Sequence, residues 1–319
     1  MPPIAALDER EDVRETAPST PKPITSGRRG AAEQVLLIAF VVIPLAAFVA
    51  AIPFAWGWGL NWVDAGVALG MYAITGLGVT VGFHRHFTHS SFKAVRPLRV
   101  ALAIAGNLSF QGTTTGWVAD HRRHHAFSDR DGDPHSPWRF GSSPAALAKG
   151  FYHAHLGWLF DRELTNRERF APDLVADSAI QRVDSQFLTL CLVSLGVPAL
   201  VGGLATLSWW GALTGLFWGG LVRIALLHHV TWSVNSICHM FGERPFNSRD
   251  KAANFWPLAV LSFGESWHNL HHADPTCARH GVQRGQIDIS ARIIWIFEKL
   301  GWATNVRWPT RTRLARLAA

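Results

Sequence analysis

The sequence predicts an all-α fold: four transmembrane helices, paired as two hairpins, with a cytoplasmic helical cap that holds a dinuclear metal site. Three observations carry this prediction. Of the 319 residues 48% are hydrophobic and 17% charged, and the charges are missing in blocks: residues 34–63, 65–83 and 185–222 contain no Asp, Glu, Lys or Arg. Of the 30 basic residues 5 precede residue 34, 13 lie between 85 and 182, Arg223 sits alone just after the last block, and 11 follow residue 243. Eight of the 16 histidines gather in three short clusters. A disordered chain or acidic tail is excluded, because such chains lack apolar residues and this one lacks only charge.

Taken in order, residues 1–33 are polar, Pro-rich and mixed in charge. They read as a disordered cytoplasmic tail ahead of a single membrane domain, 34–319. The apolar run that follows is too long for the core of a cleaved signal. A bilayer core takes roughly 20 apolar helical residues. The first two charge-free blocks therefore supply crossings at about 35–54 and 62–81. The third block is too long for one crossing and is interrupted by Trp209-Trp210-Gly211, so it supplies two, about 187–207 and 211–232. A soluble core of this size rarely holds such a stretch without one charge.

Trp56, Trp58, Trp62, Trp209 and Trp210 crowd the two uncharged turns as an interfacial belt, and the basic residues lie elsewhere. The positive-inside rule then places both termini and the middle segment in the cytoplasm. The cap is 83–184 plus 235–319. Within it, residues 97–118 are apolar but too short a run to span, and read as one amphipathic or buried helix against the membrane. Cys191, Cys238 and Cys277 are odd in number, so no disulfide is expected, and too few for a four-thiolate iron–sulfur cluster.

The histidines carry the chemistry. The clusters are His84-x4-His89, His121-x2-His124-His125 and His268-x2-His271-His272. In an HxxHH segment the first and the last two histidines are three and four residues apart, which places them on one helical face. Eight imidazoles are twice what a closed tetrahedral site takes. Imidazole suits iron, zinc, copper and nickel, and a dinuclear centre uses the supply. His228-His229 lie inside the fourth span, point about 100° apart and read as structural. On spacing alone His239 reads the same way. His86, His135, His153, His155 and His280 are left to solvated or supporting roles.

Four segments together resemble a known family. Gly82-Phe83-His84-Arg85-His86-Phe87-Thr88-His89, Asp120-His121-Arg122-Arg123-His124-His125, Trp232-Ser233-Val234-Asn235-Ser236-Ile237-Cys238-His239 and Glu265-Ser266-Trp267-His268-Asn269-Leu270-His271-His272 look like the histidine boxes of the membrane acyl-CoA desaturases of the stearoyl-CoA (delta-9) type. The resemblance runs from about residue 35 to 300. It implies two irons held by His84, His89, His121, His124, His125, His239, His268, His271 and His272, with Asn235 binding through water. It implies an O2-dependent dehydrogenation that leaves a cis double bond in a saturated acyl thioester, acyl-CoA first among them. No catalytic residue is expected beyond the metal centre.

The resemblance also implies that Gln111, Trp117, Thr231 and Trp232 line or bend an acyl tunnel, and that Asp120 and Arg162 contact the CoA part. Two departures stand beside these positions: Ala119 and Glu163 occupy places where the animal enzymes carry a basic residue. The chain has no cysteine quartet, no dinucleotide-binding glycine motif and no haem domain, so a separate ferredoxin or flavoprotein reductase is expected to supply electrons. Membrane lipid is the other expected partner, and no nucleic acid is. The basic stretch with Arg307, Arg311, Arg313 and Arg316 could dock an acidic donor or anionic lipid, though retention on the positive side explains it equally. With 25 Arg against 5 Lys the composition points to a bacterial plasma membrane. Two alternatives remain: a diiron hydroxylase of acyl chains or hydrocarbons on the same scaffold, and a His-rich membrane metal carrier, which would put its ligands at mid-span.

Overall fold

A computed structural model describes residues 22–55 and 59–318. Its main elements are β1 (Thr25–Arg28), α1 (Ala31–Ala55), α2 (Trp62–Thr88), β2 (Lys93–Ala94), α3 (Arg96–Asn107), α4 (Thr114–Phe127), α5 (Pro144–His155), β3 (Glu163–Thr165), α6 (Ser178–Ser185), α7 (Phe187–Thr206), α8 (Trp209–His239), α9 (His268–Ala273), α10 (Ile289–Lys299) and β4 (Ala303–Thr304). Helix α1, α2, α7 and α8 are long and apolar enough to cross a membrane.

The four spans are of two kinds. Helices α1 and α7 are outer helices whose Val42, Val49, Ile52, Leu192, Leu200 and Leu204 stay exposed. Apolar surface on every side is what lipid, rather than water, tolerates. Helices α2 and α8 are the buried inner pair, and His84 and His239 lie towards their C-terminal ends. At the opposite end Trp62 and Trp209, each the first residue of its helix, are 93% and 89% exposed, as interfacial residues would be. The belt positions Trp56 and Trp58 lie outside the described residues.

Both hairpins are tied at this outer end. Asn61 caps α2 by accepting from the Asp64 amide at 2.9 Å, and buried Asp64 in turn accepts from Thr214 of α8 at 3.1 Å. Helices α7 and α8 meet through small residues: a Cβ on Gly202 would stand 2.2 Å from the Gly211 carbonyl oxygen.

Three features depart from the sequence reading. First, part of the supposed tail is structured: β1 pairs antiparallel with β3 in the register Thr25 to Thr165 and Arg28 to Glu163, and α1 already begins at Ala31. Polar composition hid this, because a short strand needs only a partner edge, and here the partner lies far along the chain. Residues 1–21 of that tail are outside the described residues. Second, residues 97–118 form two helices rather than one. Phe110 and Gly112 adopt positive φ of 65° and 101°, and Thr113 then caps α4 by accepting from Gly116 at 3.2 Å.

Third, the inner spans run past residues 81 and 232, to Thr88 and His239. From Gly78 onward α2 changes to wider turns in which each amide reaches back five residues. Gly78 also lets α3 approach, since a Cβ there would stand 2.3 Å from the Ala105 carbonyl carbon. Gly78→Ala is therefore expected to push α3 away and cost about 1–3 kcal/mol. A thermal unfolding temperature equal to that of the parent would contradict that reading of the contact.

Candidate metal centre

Nine histidines converge at the inner ends of α2 and α8. They come from four places: His84 and His89 at the end of α2, His121, His124 and His125 on α4, His239 at the end of α8, and His268, His271 and His272 on α9. All are buried except His89 and His125, which are partly so. They fall into two groups, His84, His89, His121, His125 and His271 in one, His124, His239, His268 and His272 in the other, each with its ligand atoms within 4.8 Å of one another.

The wider turns explain the first cluster. Residues five apart on an ordinary helix point about 140° apart. Here the His89 amide donates to the His84 carbonyl at 3.2 Å, the turn closes over five residues, and both rings enter one group. The HxxHH segments do something the one-face argument missed. In each, the residues four apart share a group while the histidine between them serves the other: His121 and His125 against His124, and His268 and His272 against His271. Each short helix thus bridges both groups and fixes their separation.

The donor chemistry suits metal. Imidazole nitrogens approach pairwise, His84 to His271 at 3.0 Å, His271 to His125 at 2.9 Å, His239 to His268 at 3.1 Å and His272 to His268 at 3.0 Å, all through Nε2. Two nitrogens bound at right angles to one ion, each about 2.1 Å from it, lie about 3 Å apart. On the far side of the rings stand carboxylates. His124 Nδ1 lies 3.0 Å from Asp133, His239 Nδ1 3.0 Å from Asp129, His272 Nδ1 2.6 Å from Asp250, and His84 Nδ1 2.6 Å from Glu265. An ionised carboxylate only accepts, so Nδ1 carries the proton and Nε2 presents a lone pair inward. Among the described residues His89 Nε2 and His124 Nε2 are buried without a hydrogen-bond partner. Convergent lone pairs with no donor between them fit cations.

Burial, then neighbouring histidines, hold His89, His121, His125, His268, His271 and His272 well below the usual imidazole range. Burial alone would raise Asp129, Asp133, Asp250 and Glu265, but the facing histidines, and Arg85 for Glu265, bring all four below the usual carboxylate range. Both shifts act with one sign. A group depressed in the native state contributes stability that is complete above its unfolded value, about 6.5 for His and about 4 for carboxylates, and is lost as pH falls below it. Bound metal and unfolding temperature are therefore expected to fall together between pH 7.5 and pH 5, since ligation needs neutral imidazole. Full metal content at pH 5 would contradict this.

The two groups open on one cavity of about 750 Å³. His84, His121, His268 and Asn235 line it, and so do Gln111, Trp117, Asp120, Thr231 and Trp232. Trp117 stacks on His121, ring centroids 4.9 Å apart, and Gln111 Nε2 donates to Thr231 Oγ1 at 3.0 Å across the cavity. Phe40, Phe110, Leu227 and Phe263 make its deeper wall apolar, while Arg29, Arg123, Arg139 and Asp161 surround its polar end. Asp120 stands at that end, its carboxyl raised by burial against the lowering pull of Thr165 and nearby arginines. Arg162 is the exception among the expected substrate contacts. It is exposed, outside the cavity lining, and meets the N-terminal strand through its carbonyl, which accepts from the Arg29 amide at 2.7 Å. The antiparallel pairing of β1 and β3 turns this residue to the edge.

Other residues lie where sequence reasoning assigned nothing. Asp129, Asp133, Asp250 and Glu265 could have been sought as the acids that buried histidine ligands need, and two of them follow the second cluster directly. Asn269 had no signal at all, yet it anchors α9: it accepts from the Phe246 amide at 2.7 Å and donates to the Phe246 and Ala252 carbonyls at 3.0 and 3.1 Å. His135 stacks on His124 at 4.2 Å and His280 lies 4.6 Å from His271, so both support the groups. His228 Nε2 donates to the Ser109 carbonyl at 3.1 Å, and His229 pairs with His155 at 3.0 Å, both outside the two groups.

The sequence profile of the fatty acid desaturase family matches residues 60–286. Among similar proteins is the hex-5-enoyl-[acyl-carrier protein] acetylenase of Moorena producens (strain JHB), 40% identical over 271 residues that cover 84% of each chain. The sn-1 stearoyl-lipid 9-desaturase of Anabaena variabilis is 38% identical over 77% of this chain and 85% of its own. Delta-9 acyl-lipid desaturase 1 of Arabidopsis thaliana is 38% identical over 81% and 80%.

Proposed function

Because the chain belongs to the fatty acid desaturase family, we propose that it introduces a cis double bond, at the delta-9 position, into a saturated long-chain acyl group, using O2 and two irons. In the balanced reaction a –CH2–CH2– unit gives up two hydrogens, and O2 takes these with two electrons and two protons to form two waters. The single observation that carries the reading is the opening of two histidine groups, five and four strong, onto one largely apolar cavity.

The two irons would be held by the two histidine groups, Asn235 reaching the second through water, and when bound they supply the redox chemistry with O2. The remaining work belongs to the chain. Asp129, Asp133, Asp250 and Glu265 keep their histidines in one tautomer and orientation. Trp117 and Trp232 would exclude water beside the centre, and the Gln111–Thr231 hydrogen bond holds two of the lining side chains together. An acyl chain offers no polar handle near the reacting carbons, so position along the cavity must set the site of the double bond. The relatives' names include acyl-lipid and acyl-carrier-protein substrates, and the departures at Ala119 and Glu163, with Arg162 outside the cavity, weigh against a CoA grip of the animal type. The distribution of basic residues supports both termini and the cap on the cytoplasmic face, the excess of Arg over Lys supports a bacterial plasma membrane, and a separate one-electron donor completes the system.

Expression in a host without unsaturated acyl chains, followed by mass spectrometry of double-bond position, tests the proposal. Chains lighter by two hydrogens at a single position support it. Chains heavier by one oxygen identify a hydroxylase, and a protein that binds exchangeable zinc with no O2 consumption under reducing conditions identifies a metal carrier.

A further inference from the structure

Between His239 and His268 the chain makes an apolar excursion that none of the four spans accounts for. Residues 252–264 contain no Asp, Glu, Lys or Arg, and Lys251 and Glu265 close the run on either side. A run of this length is too short to cross a bilayer and reads either as buried core or as a segment that dips into the membrane and returns. Exposure decides between the two. Trp256, Val260 and Leu261 are 76%, 54% and 42% exposed, so this part of the run is not core.

The excursion begins and ends at one place. Asn254 bridges antiparallel to Trp267, and the Phe255 amide donates to the Ser266 carbonyl at 2.9 Å. In between, the amides of Ala259, Ser262 and Gly264 donate to the Trp256, Leu258 and Ala259 carbonyls at 3.0, 2.8 and 2.8 Å, and Pro257 has no amide hydrogen to satisfy. Backbone facing hydrocarbon must be satisfied within its own segment, and backbone that leaves the helical pattern must lie against protein. The residues that leave it, Phe263 and Gly264 with φ of 54° and 98°, are both buried.

Two contacts set the depth. Tyr72 Oη of α2 donates to the Leu261 carbonyl at 2.7 Å, and a Cβ on Gly76 would stand 2.3 Å from Phe263 Cε2. Tyr72 and Gly76 follow the exposed Trp62 by ten and fourteen residues, which places them about 15 and 21 Å along α2 at 1.5 Å per residue. Both levels fall inside a hydrocarbon core about 30 Å thick. Helix α2 also presents Leu69 and Ile74 outward here, 70% and 52% exposed, so the apolar face of the loop continues the lipid-facing surface of a span.

We propose that residues 256–261 form a re-entrant segment whose partner is the hydrocarbon of the bilayer. The same loop returns through Glu265, which meets His84 and Arg85, to His268, so the membrane braces the metal centre from the side. Depth is measured with nitroxide labels on Val260→Cys, on Leu200→Cys in α7 and on Glu168→Cys at the exposed pair with Lys22, each in phosphatidylcholine vesicles. The parent, whose three cysteines are buried, gives the labelling background. Oxygen gathers in hydrocarbon and a nickel chelate stays in water, so the ratio of their collision rates reports the surroundings of each label. The Val260 label is expected to match the high ratio at Leu200. A ratio as low as that at Glu168 overturns the proposal, and so does a label shielded from both reagents or broadened by a second label, which identifies a protein partner or a second copy of the chain. In addition, Val260→Asp is expected to lower bound metal about twofold or more, because a charge at this depth is expelled and Glu265 and His268 move with the loop, whereas Val260→Leu keeps the parent content. An unchanged metal content in Val260→Asp places the loop in water, where a surface charge is tolerated, and overturns the proposal as well. None of these readouts depends on turnover, so the desaturase reading stands or falls separately.

Discussion

His271→Ala is expected to abolish desaturation, at least a ~100-fold loss, while bound iron falls from two to about one per chain and the membrane protein remains assembled. His271 Nε2 lies 3.0 Å from His84 Nε2 and 2.9 Å from His125 Nε2, so its ring is shared by two neighbours in the five-histidine group. Its removal leaves α9 intact, because that helix is anchored by Asn269 and not by the ring. His124→Ala is expected to give the mirror result, loss from the four-histidine group, although the two residues sit in sequence motifs of identical form. His153→Ala supplies the contrast. Its Nε2 lies 3.1 Å from the Pro134 carbonyl and belongs to neither group, so both irons are retained. Iron analysis of the three purified variants checks this, and full activity in the first two would remove the basis of the dinuclear reading.

Glu265→Gln should have the largest effect on stability. Arg85 is completely buried, and Glu265 Oε1 lies 3.0 Å from its Nε while the other oxygen lies 2.6 Å from His84 Nδ1. Asp288, the Ala278 carbonyl and His280 meet the rest of the guanidinium at 3.0, 2.8 and 3.3 Å. One carboxylate therefore satisfies a buried cation and orients a metal-facing ring together. Neutralising it leaves Arg85 a single acid, which costs about 3 kcal/mol, the low end for breaking a buried pair, because glutamine keeps an acceptor. The detergent-solubilised variant should unfold at a clearly lower temperature and hold less iron. An unchanged unfolding temperature would show the network to be redundant. Glu168→Gln breaks the exposed pair with Lys22, 3.2 Å apart, and should change neither readout.

The spans were legible in the sequence because the rule behind them is local. Lipid forbids charge along a stretch whose length is fixed by the bilayer, and the charge-free blocks locate α1 and α7 and the starts of α2 and α8 within a few residues, though not the inner ends of α2 and α8. The His-rich segments were equally visible as clusters. What spacing could not give was the partition. Whether His124 joins His121 or His239 depends on where α8 and α9 arrive, which is tertiary information. The 84–89 spacing made sense only after α2 was seen to widen from Gly78. His239 looked structural by itself and gained a group of partners only through the fold. The strand at Thr25–Arg28 and the position of Arg162 outside the cavity lining escaped for a related reason, since the pairing that places both joins segments more than a hundred residues apart.

The central claim is two metals held by nine histidines in groups of five and four. The most direct measurement is an anomalous difference map from crystals of the protein, recorded at the iron absorption edge. The account predicts two peaks, one among His84, His89, His121, His125 and His271, the other among His124, His239, His268 and His272. A single peak, or peaks lying outside both groups, would contradict it.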